Sequence, residues 1–452
     1  MTEATTAEAA APPAVRALKT PPSPRVPRLL QGLGFAVARR RMLDAFARRY
    51  GNVFALNLPV FGHVINVADP ALAKQLFMAN TTDVGNIRPS LERIFGPGSV
   101  FALDGDDHRR RRKILTPPFH GKSIKNYEQT FETETLREAA DWSDDVPFET
   151  LEPMSRITLN VILRTVFGAE GEKLDELRRI IPPWVTLGSR LAMLPAPSRT
   201  YGRRTPWGRL NEYRRQYDGI LDRLIAEVKA DPDFERRDDV LALLLRSTYE
   251  DGSSMSSREI ADEMLTLLAA GHETTASTLA WVFERVTRHP EVLAKLVAEA
   301  ATDDSQYRQA VILETQRTRT VIDGTARHVY VPTFQLGDWV IPKGHQIRVD
   351  IAMMHRRAEE FPDPARFDPQ RYIGERPPTF AFIPFGGGTR RCVGAAFANV
   401  EMDVVLRTVL RHFIIEPSTA PDEKVHSRGV AYTPKAGGRV VMRRRSTPLS
   451  AT

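Results

Sequence analysis

Between Ser257 and Thr287 lies a run, MLTLLAAGHETTASTLAWVFERV, that stays apolar for longer than a surface helix allows, so whatever fold the chain adopts must bury it centrally. Ser256 or Ser257 can cap its start, with Glu259 and Asp262 opening the helix. Its middle carries Gly271, His272, Glu273, Thr274 and Thr275, and a buried helix holds such polar groups only with partners or a purpose. A Thr274 hydroxyl bonding back to the carbonyl one turn earlier would explain that residue without any function.

A second stretch, FIPFGGGTRRCVGAAFANVEMDVVLRTVLRH from Phe382 to His412, holds the only cysteine among 452 residues. Ala395, Ala398, Met402, Val405, Leu406, Val409 and Leu410 recur at helical spacing, which puts Cys392 just before a helix. The free N–H groups of a helix start, together with Arg390 and Arg391, favour a thiolate. Such a cysteine serves as nucleophile, redox sensor or axial ligand to haem iron, and an isolated cysteine also packs simply as a small apolar residue. Three successive glycines suit a backbone laid closely against something large and flat, which Phe385 can cover.

The loop Phe385-x-x-Gly388-x-Arg390-x-Cys392-x-Gly394 resembles the haem-ligand loop of the cytochromes P450, with every fixed position filled. The resemblance extends to independent places along the chain. His108 and Arg112 are four apart, hence on one helical face, and the family presents such a pair to a haem propionate. Arg110, Arg111 and Lys113 are then expected to face outward, toward an acidic redox partner. The central run contains Ala270-Gly271-x-Glu273-Thr274-Thr275, similar to the family's oxygen-activation motif. There Ala270 and Gly271 leave room for dioxygen, Thr274 hydrogen-bonds the oxygen held at the iron, and Glu273 helps relay protons.

Glu314 and Arg317 form an E-x-x-R pair, an ordinary helix ion pair when taken alone. In the family it locks to a later arginine, which FDPQRY supplies as Arg371. Arg327 is a further expected propionate contact. Two features depart from the family: the arginine stands in ETQRTRTV without the usual leucine before or proline after, and HRRAEEFPDP replaces the usual His-Arg-Asp-Pro. The short segment before Glu314 also implies that a small helix common in the family is missing.

Elsewhere the pattern predicts a helix over 29–50, a hairpin over 52–68 and a helix from Asp69-Pro70. Residues 80–103 read as a long loop and candidate substrate lid. Amphipathic helices follow over 153–250, with interruptions expected at Pro182-Pro183 and through 195–208. Trp184, Leu187, Leu191 and Met193 are possible substrate contacts, although such residues are more often core; Leu265, Leu268 and Ala269 suggest an apolar cavity. GVAYTPKAGGRVVMRR reads as a closing hairpin whose tip reaches the pocket.

Composition narrows the class. Residues 1–26 are rich in Ala, Pro and Thr and read as a disordered tail, with 446–452 a second short tail. No run approaches the roughly 20 apolar residues of a transmembrane anchor, and no secretory signal is recognisable. A single cysteine fits a reducing cytoplasm. The net charge of +7 lies in short arginine clusters without interleaved aromatics, so nucleic-acid binding is not indicated.

The resemblance therefore covers 27–445 as one catalytic domain of a soluble bacterial, actinobacterial-type cytochrome P450. It implies a mainly α fold with a smaller β region, haem b between the central helix and the Cys392 loop, and hydroxylation of a hydrophobic small molecule by O2. Electrons would come from NAD(P)H through ferredoxin and ferredoxin reductase, docking around Arg110, Lys113 and Arg391. The rivals are a peroxide-driven peroxygenase and a haem-thiolate sensor. A cysteine hydrolase would need a histidine beside Cys392, and His412 is too far along the helix.

Overall fold

The computed structural model describes residues 18–87, 91–168, 172–192, 194, 197 and 202–450. Pro89 of the expected lid loop, Met193, and most of the connector before Gly202 lie outside the described residues. Residues 18–26 run extended along the body: Lys19 exchanges hydrogen bonds with Asp338 and Val340, and Ala55 N–H donates to Pro22.

Helix α1 (Arg28–Tyr50) leads into β1 (Val53–Leu58) and β2 (Gly62–Val67), an antiparallel hairpin. Helix α2 (Pro70–Met78) starts where expected, because the Asp69 carboxylate accepts from the Ala71 and Leu72 N–H groups and Pro70 fills a position needing no donor. The segment expected as a loop contains a short strand β3 (Val84–Gly85) and a single turn α3 (Glu92–Phe95) before α4 (Gly105–Leu115). After α5 (Lys122–Lys125), α6 (Glu128–Ala139) and β4 (Phe148–Glu149) come α7 (Leu151–Phe167), α8 (Glu172–Leu191), α9 (Pro206–Ala230) and α10 (Val240–Arg246).

The interruption expected at Pro182-Pro183 does not occur, since α8 runs through both prolines. An internal proline costs a helix about 3 kcal/mol, but Leu177, Ile181, Trp184 and Val185 on both sides of the pair are buried in one core, and that packing holds the halves in line.

Helix α11 (Ser257–Thr287) is the central rod. Its start is a reciprocal capping box, with the Ser256 hydroxyl accepting from the Glu259 N–H and the Glu259 carboxylate accepting from the Ser256 N–H. It packs most extensively on α7 and also touches α8, α9 and α10. Then come α12 (Pro290–Ala300), α13 (Gln306–Thr318), strands β5 (Gly324–Val329), β6 (Thr333–Leu336), β7 (Trp339–Pro342) and β8 (Gln346–Asp350), and α14 (Ile351–Met354). No helix separates α12 from α13. The main sheet has the order β1-β2-β8-β5-β3, with β2 and β8 parallel and the other pairs antiparallel. Its own apolar core, around Ile65, Val329 and Ile347, is separate from the large helical core.

Helix α15 (Ala395–His412) follows the cysteine loop, and the chain ends in β9 (Phe413–Ile415), β10 (Val425–Ser427), β11 (Tyr432–Pro434), β12 (Arg439–Val440) and β13 (Met442–Arg444). The closing hairpin expected over 429–444 does not form with itself. β11 pairs back with β10, β12 with β4 and β13 with β9, because Gly437 and Gly438 both take φ +70 and turn the chain away. Among the described residues no helix is long and apolar enough to cross a membrane.

Candidate active site

The cysteine loop is built on tight glycine turns and anchored from three elements. Gly386 and Gly388 sit at φ +68 and +66, and the Cys392 N–H donates to the Phe385 carbonyl at 2.9 Å. A methyl group on Gly388 would lie 2.5 Å from the Phe77 carbonyl oxygen of α2, so that backbone approach admits glycine alone. From β5, Arg327 donates to the Gly387 carbonyl at 2.8 Å; from α4, Arg112 donates to the Arg391 carbonyl at 2.7 Å. Upstream, the Ile383 N–H donates to His355 Nε2 at 3.0 Å. That bond requires Nε2 to be unprotonated, so Nδ1 carries the hydrogen and faces the Thr320 hydroxyl at 3.1 Å. Burial and the Arg317 charge push His355 down to about 3, keeping it neutral.

Cys392 stands just before α15 as expected, and its side chain is accessible although the chain closes around it, which places it on an interior hollow. Its pKa is not lowered. Burial pushes the thiol up, and the Gly394 N–H, Arg112 and Arg391 only partly oppose this. Arg390, expected beside the sulfur, instead donates to the Leu103 carbonyl and pairs with Asp104 at 2.9 Å.

Basic groups crowd the neighbouring wall. His108 is buried and pushed down to about 3 by desolvation, then by Arg390 and Arg112. Arg327 is pushed down to about 10 by desolvation and the Arg390 charge, and it lies over the Phe77 ring at 5.6 Å. Arg112 is lowered by desolvation and by its arginine neighbours. Four expected residues from three elements thus converge, and the carboxylate recorded among them is Asp104, already shared with Arg390, Tyr330 and the Asn86 N–H. The cluster is short of negative charge, and two carboxylates from a ligand would supply it.

Across the fold, α11 is buried from Ile260 to its end except at a stripe of Leu267, Ala270, Gly271 and Thr274, with Glu273 at its edge. These positions share one helical face. Leu265, Leu268 and Ala269, expected to line a cavity, belong instead to the packed core. Thr274 donates to the Ala270 carbonyl at 2.8 Å, one turn back, as do Thr275, Ser277 and Thr278 to theirs. A methyl on Gly271 would meet Ile162 of α7 at 3.0 Å, so this glycine serves helix packing. His272 is buried, bonds the Leu268 carbonyl at 2.9 Å and is pushed down to about 4. Burial raises the Glu273 carboxyl, opposed only by Arg428, whose Nε stands 3.6 Å away at the β10–β11 tip.

Glu314 and Arg317 form a fully buried bidentate pair, both bonds at 2.7 Å, and Arg371 joins Glu314 at 3.3 Å. Arg317 also donates to the His355, Pro364 and Arg366 carbonyls, gathering the chain that leads into the cysteine loop. Trp184 and Leu191 are buried in the core, with Leu187 packed against it.

One expectation on α4 is overturned. Arg111 does not face outward: it is buried, bonds Glu263 at 2.8 Å, Glu259 at 2.7 Å and the Gly98 carbonyl, and fastens α4 to the start of α11. The two carboxylates on α11 draw it inward. Arg110 and Lys113 are exposed, but each pairs at 2.5 Å with a carboxylate of its own, Asp251 and Glu250. Sequence reasoning missed Asp104, Phe77, His355 and Arg428. Asp104 alone left a signal, as the N-cap before Gly105-Asp106-Asp107; the others come from elements distant in sequence.

Comparison with known proteins agrees with this geometry. The family model described as Cytochrome P450 matches residues 21–439. Cytochrome P450 138 of Mycobacterium tuberculosis is 64% identical over 445 residues, covering 98% of this chain and all of the relative. Cytochrome P450 135B1 of Mycobacterium bovis is 38% identical over 438 residues, covering 94% and 91%. Among solved structures, a retinoic acid bound cyanobacterial CYP120A1 aligns with a TM-score of 0.83 at 23% identity, over 95% of this chain and 100% of that one. The heme domain of cytochrome P450DA aligns at 0.82 and 22%, over 95% and 98%.

Proposed function

Because the chain belongs to the cytochrome P450 family, an enzyme family of haem b monooxygenases that take electrons from a redox partner, we propose a specific division of labour among its residues. Cys392 would supply the thiolate that ligates the haem iron. His108, Arg112, Arg327 and Arg390 would hold the two propionates, and the crowding of three arginines and a neutral histidine around a single carboxylate is the observation that carries the reading. Bound haem supplies activation of O2 at iron, with a thiolate ligand favouring O–O cleavage.

The residues on α11 serve that chemistry from the opposite side. Ala270 leaves space. The Thr274 hydroxyl donates to the Ala270 carbonyl and can rotate to offer its proton to the hollow. Glu273 is a proton carrier: burial keeps its carboxyl protonated to higher pH than an exposed glutamate, and the Arg428 side chain limits that rise. Leu267, Ala270 and the Gly271 backbone present an apolar wall, which suits hydroxylation of a hydrophobic small molecule. Residues 27–445 act as one catalytic domain, with NAD(P)H electrons delivered by a ferredoxin and its reductase. Arg391 is exposed, its charge is felt at the Cys392 thiol, and it is the centre of that docking face; Arg110 and Lys113 contribute at its margin once released from Asp251 and Glu250.

The experiment is the carbon-monoxide difference spectrum of the dithionite-reduced protein, in the parent and in Cys392→Ser. The parent is expected to show the Soret band of thiolate ligation and the variant to lose it. A thiolate band that survives in Cys392→Ser overturns the ligand assignment. Peroxide-driven turnover equal to that with reductase overturns the electron route.

A further inference from the structure

Helix α1 is patterned inside out over its first ten residues. Projected at 100° per residue, Gln31, Gly32 and Phe35 face the body, while Leu29, Leu30, Leu33, Ala36 and Val37 occupy one continuous outward arc. Leu29, Leu30, Leu33 and Val37 are 77%, 57%, 61% and 78% exposed. With Leu18 and Val26, the segment 18–37 holds six of the thirteen exposed large hydrophobics among the described residues, so this is a patch and not the scatter normal for a surface.

The arc is held rigidly. The Gln31 amide donates to the Val26 carbonyl at 2.8 Å and accepts from the Asn57 N–H at 2.9 Å, and Arg28 donates to the Pro59 carbonyl at 3.0 Å. Beyond a kink at Ala38, where φ is −138, Arg39 pairs with Asp323 at 3.1 Å. The helix therefore cannot roll its leucines inward.

Charge identifies what covers them. From Ala9 to Leu43 there is no Asp or Glu, while Arg16, Lys19, Arg25, Arg28, Arg39, Arg40 and Arg41 all fall there. Lys19, Arg25, Arg28 and Arg41 are exposed beside the arc. A second copy of the chain would bring these like charges face to face. An acidic protein would satisfy the cations but leave the aliphatic arc wet. A bilayer of anionic lipid meets both demands, with headgroups on the cations and acyl chains beneath the leucines. We propose that the outward face of α1, with Leu29, Leu30, Leu33 and Val37 ringed by Lys19, Arg25, Arg28 and Arg41, docks the enzyme peripherally on an anionic lipid surface. This rests on no assignment in the haem site.

The test is co-sedimentation of the full-length holoenzyme with phosphatidylcholine vesicles and with vesicles also containing phosphatidylglycerol. The protein is expected to pellet with the anionic vesicles and to be partly released by salt. The double variant Leu29→Ser/Leu33→Ser should lower the partition coefficient roughly tenfold or more, from the loss of two buried leucines. Arg25→Gln/Arg41→Gln should lower it severalfold on anionic vesicles alone. Three results overturn the proposal: no association with either vesicle, association unchanged in the leucine variant, or a concentration-dependent dimer in lipid-free sedimentation that the leucine substitutions abolish.

Discussion

Replacing Arg317 by leucine leaves Glu314 buried with part of its partnership gone. Both side chains of the pair are 0% exposed, so no water can take the place of the guanidinium. Breaking such a pair from one side costs about 3–5 kcal/mol. Glu314 would keep Arg371 at 3.3 Å and the Asp368 N–H at 2.9 Å, which points to the lower end. The His355, Pro364 and Arg366 carbonyls also lose a donor, adding roughly 2 kcal/mol between them, and the sum is about 5 kcal/mol. An unfolding entropy of about 2.1 cal/mol/K per residue over 452 residues gives roughly 0.95 kcal/mol/K, hence a fall in Tm of about 5 °C. Calorimetry measures this. Haem retention after gel filtration should fall as well, because the His355 backbone is tied to Arg317 while its ring receives the Ile383 N–H at the head of the cysteine loop. Glu314→Leu/Arg317→Leu should recover part of the loss, since it leaves no unpaired charge between those two positions. A Tm within a degree of the parent in Arg317→Leu, with haem retained, would refute the reasoning.

Three further outcomes are expected. Thr274→Ala should bind haem and consume NADPH while releasing more hydrogen peroxide per product; a product-to-NADPH ratio equal to the parent's removes Thr274 from the oxygen step. Arg428→Gln should move the alkaline limb of coupled turnover to higher pH, because the carboxyl of Glu273 is raised by burial and Arg428 is the charge that opposes it; an unmoved limb means Glu273 does not deliver the proton. Gly388→Ala should destabilise the protein by about 2–4 kcal/mol, combining a positive φ with the close Phe77 carbonyl, and reduce haem incorporation; normal unfolding by circular dichroism would show the turn has room.

How much of this was legible depended on whether the signal was local. The α11 bounds, its serine cap, the Asp69-Pro70 helix start and the placement of Cys392 before α15 all follow from periodicity and capping, which neighbours in sequence decide. The Glu314–Arg317 pair was readable too, since the two share a helix face, whereas the addition of Arg371 followed from the family resemblance and not from local spacing. Pro182-Pro183 misled, because local propensity yielded to the core that both halves of α8 share. Arg111 looked like one member of an outward basic run, yet Glu259 and Glu263, some 150 positions later, turn it inward.

The cysteine's electrostatics show the boundary most sharply. By itself the sequence determined that one sulfur stands at a helix start among arginines, and that a long apolar rod with a small, polar centre lies elsewhere in the chain. Only the tertiary structure decided that burial outweighs the helix start and raises the thiol, that Arg390 turns to Asp104, that three arginines and His108 converge around that carboxylate, and that Arg428 reaches Glu273. The physical reason is that desolvation and charge pairing depend on which groups meet across space, and chain order records only the groups that are neighbours along it.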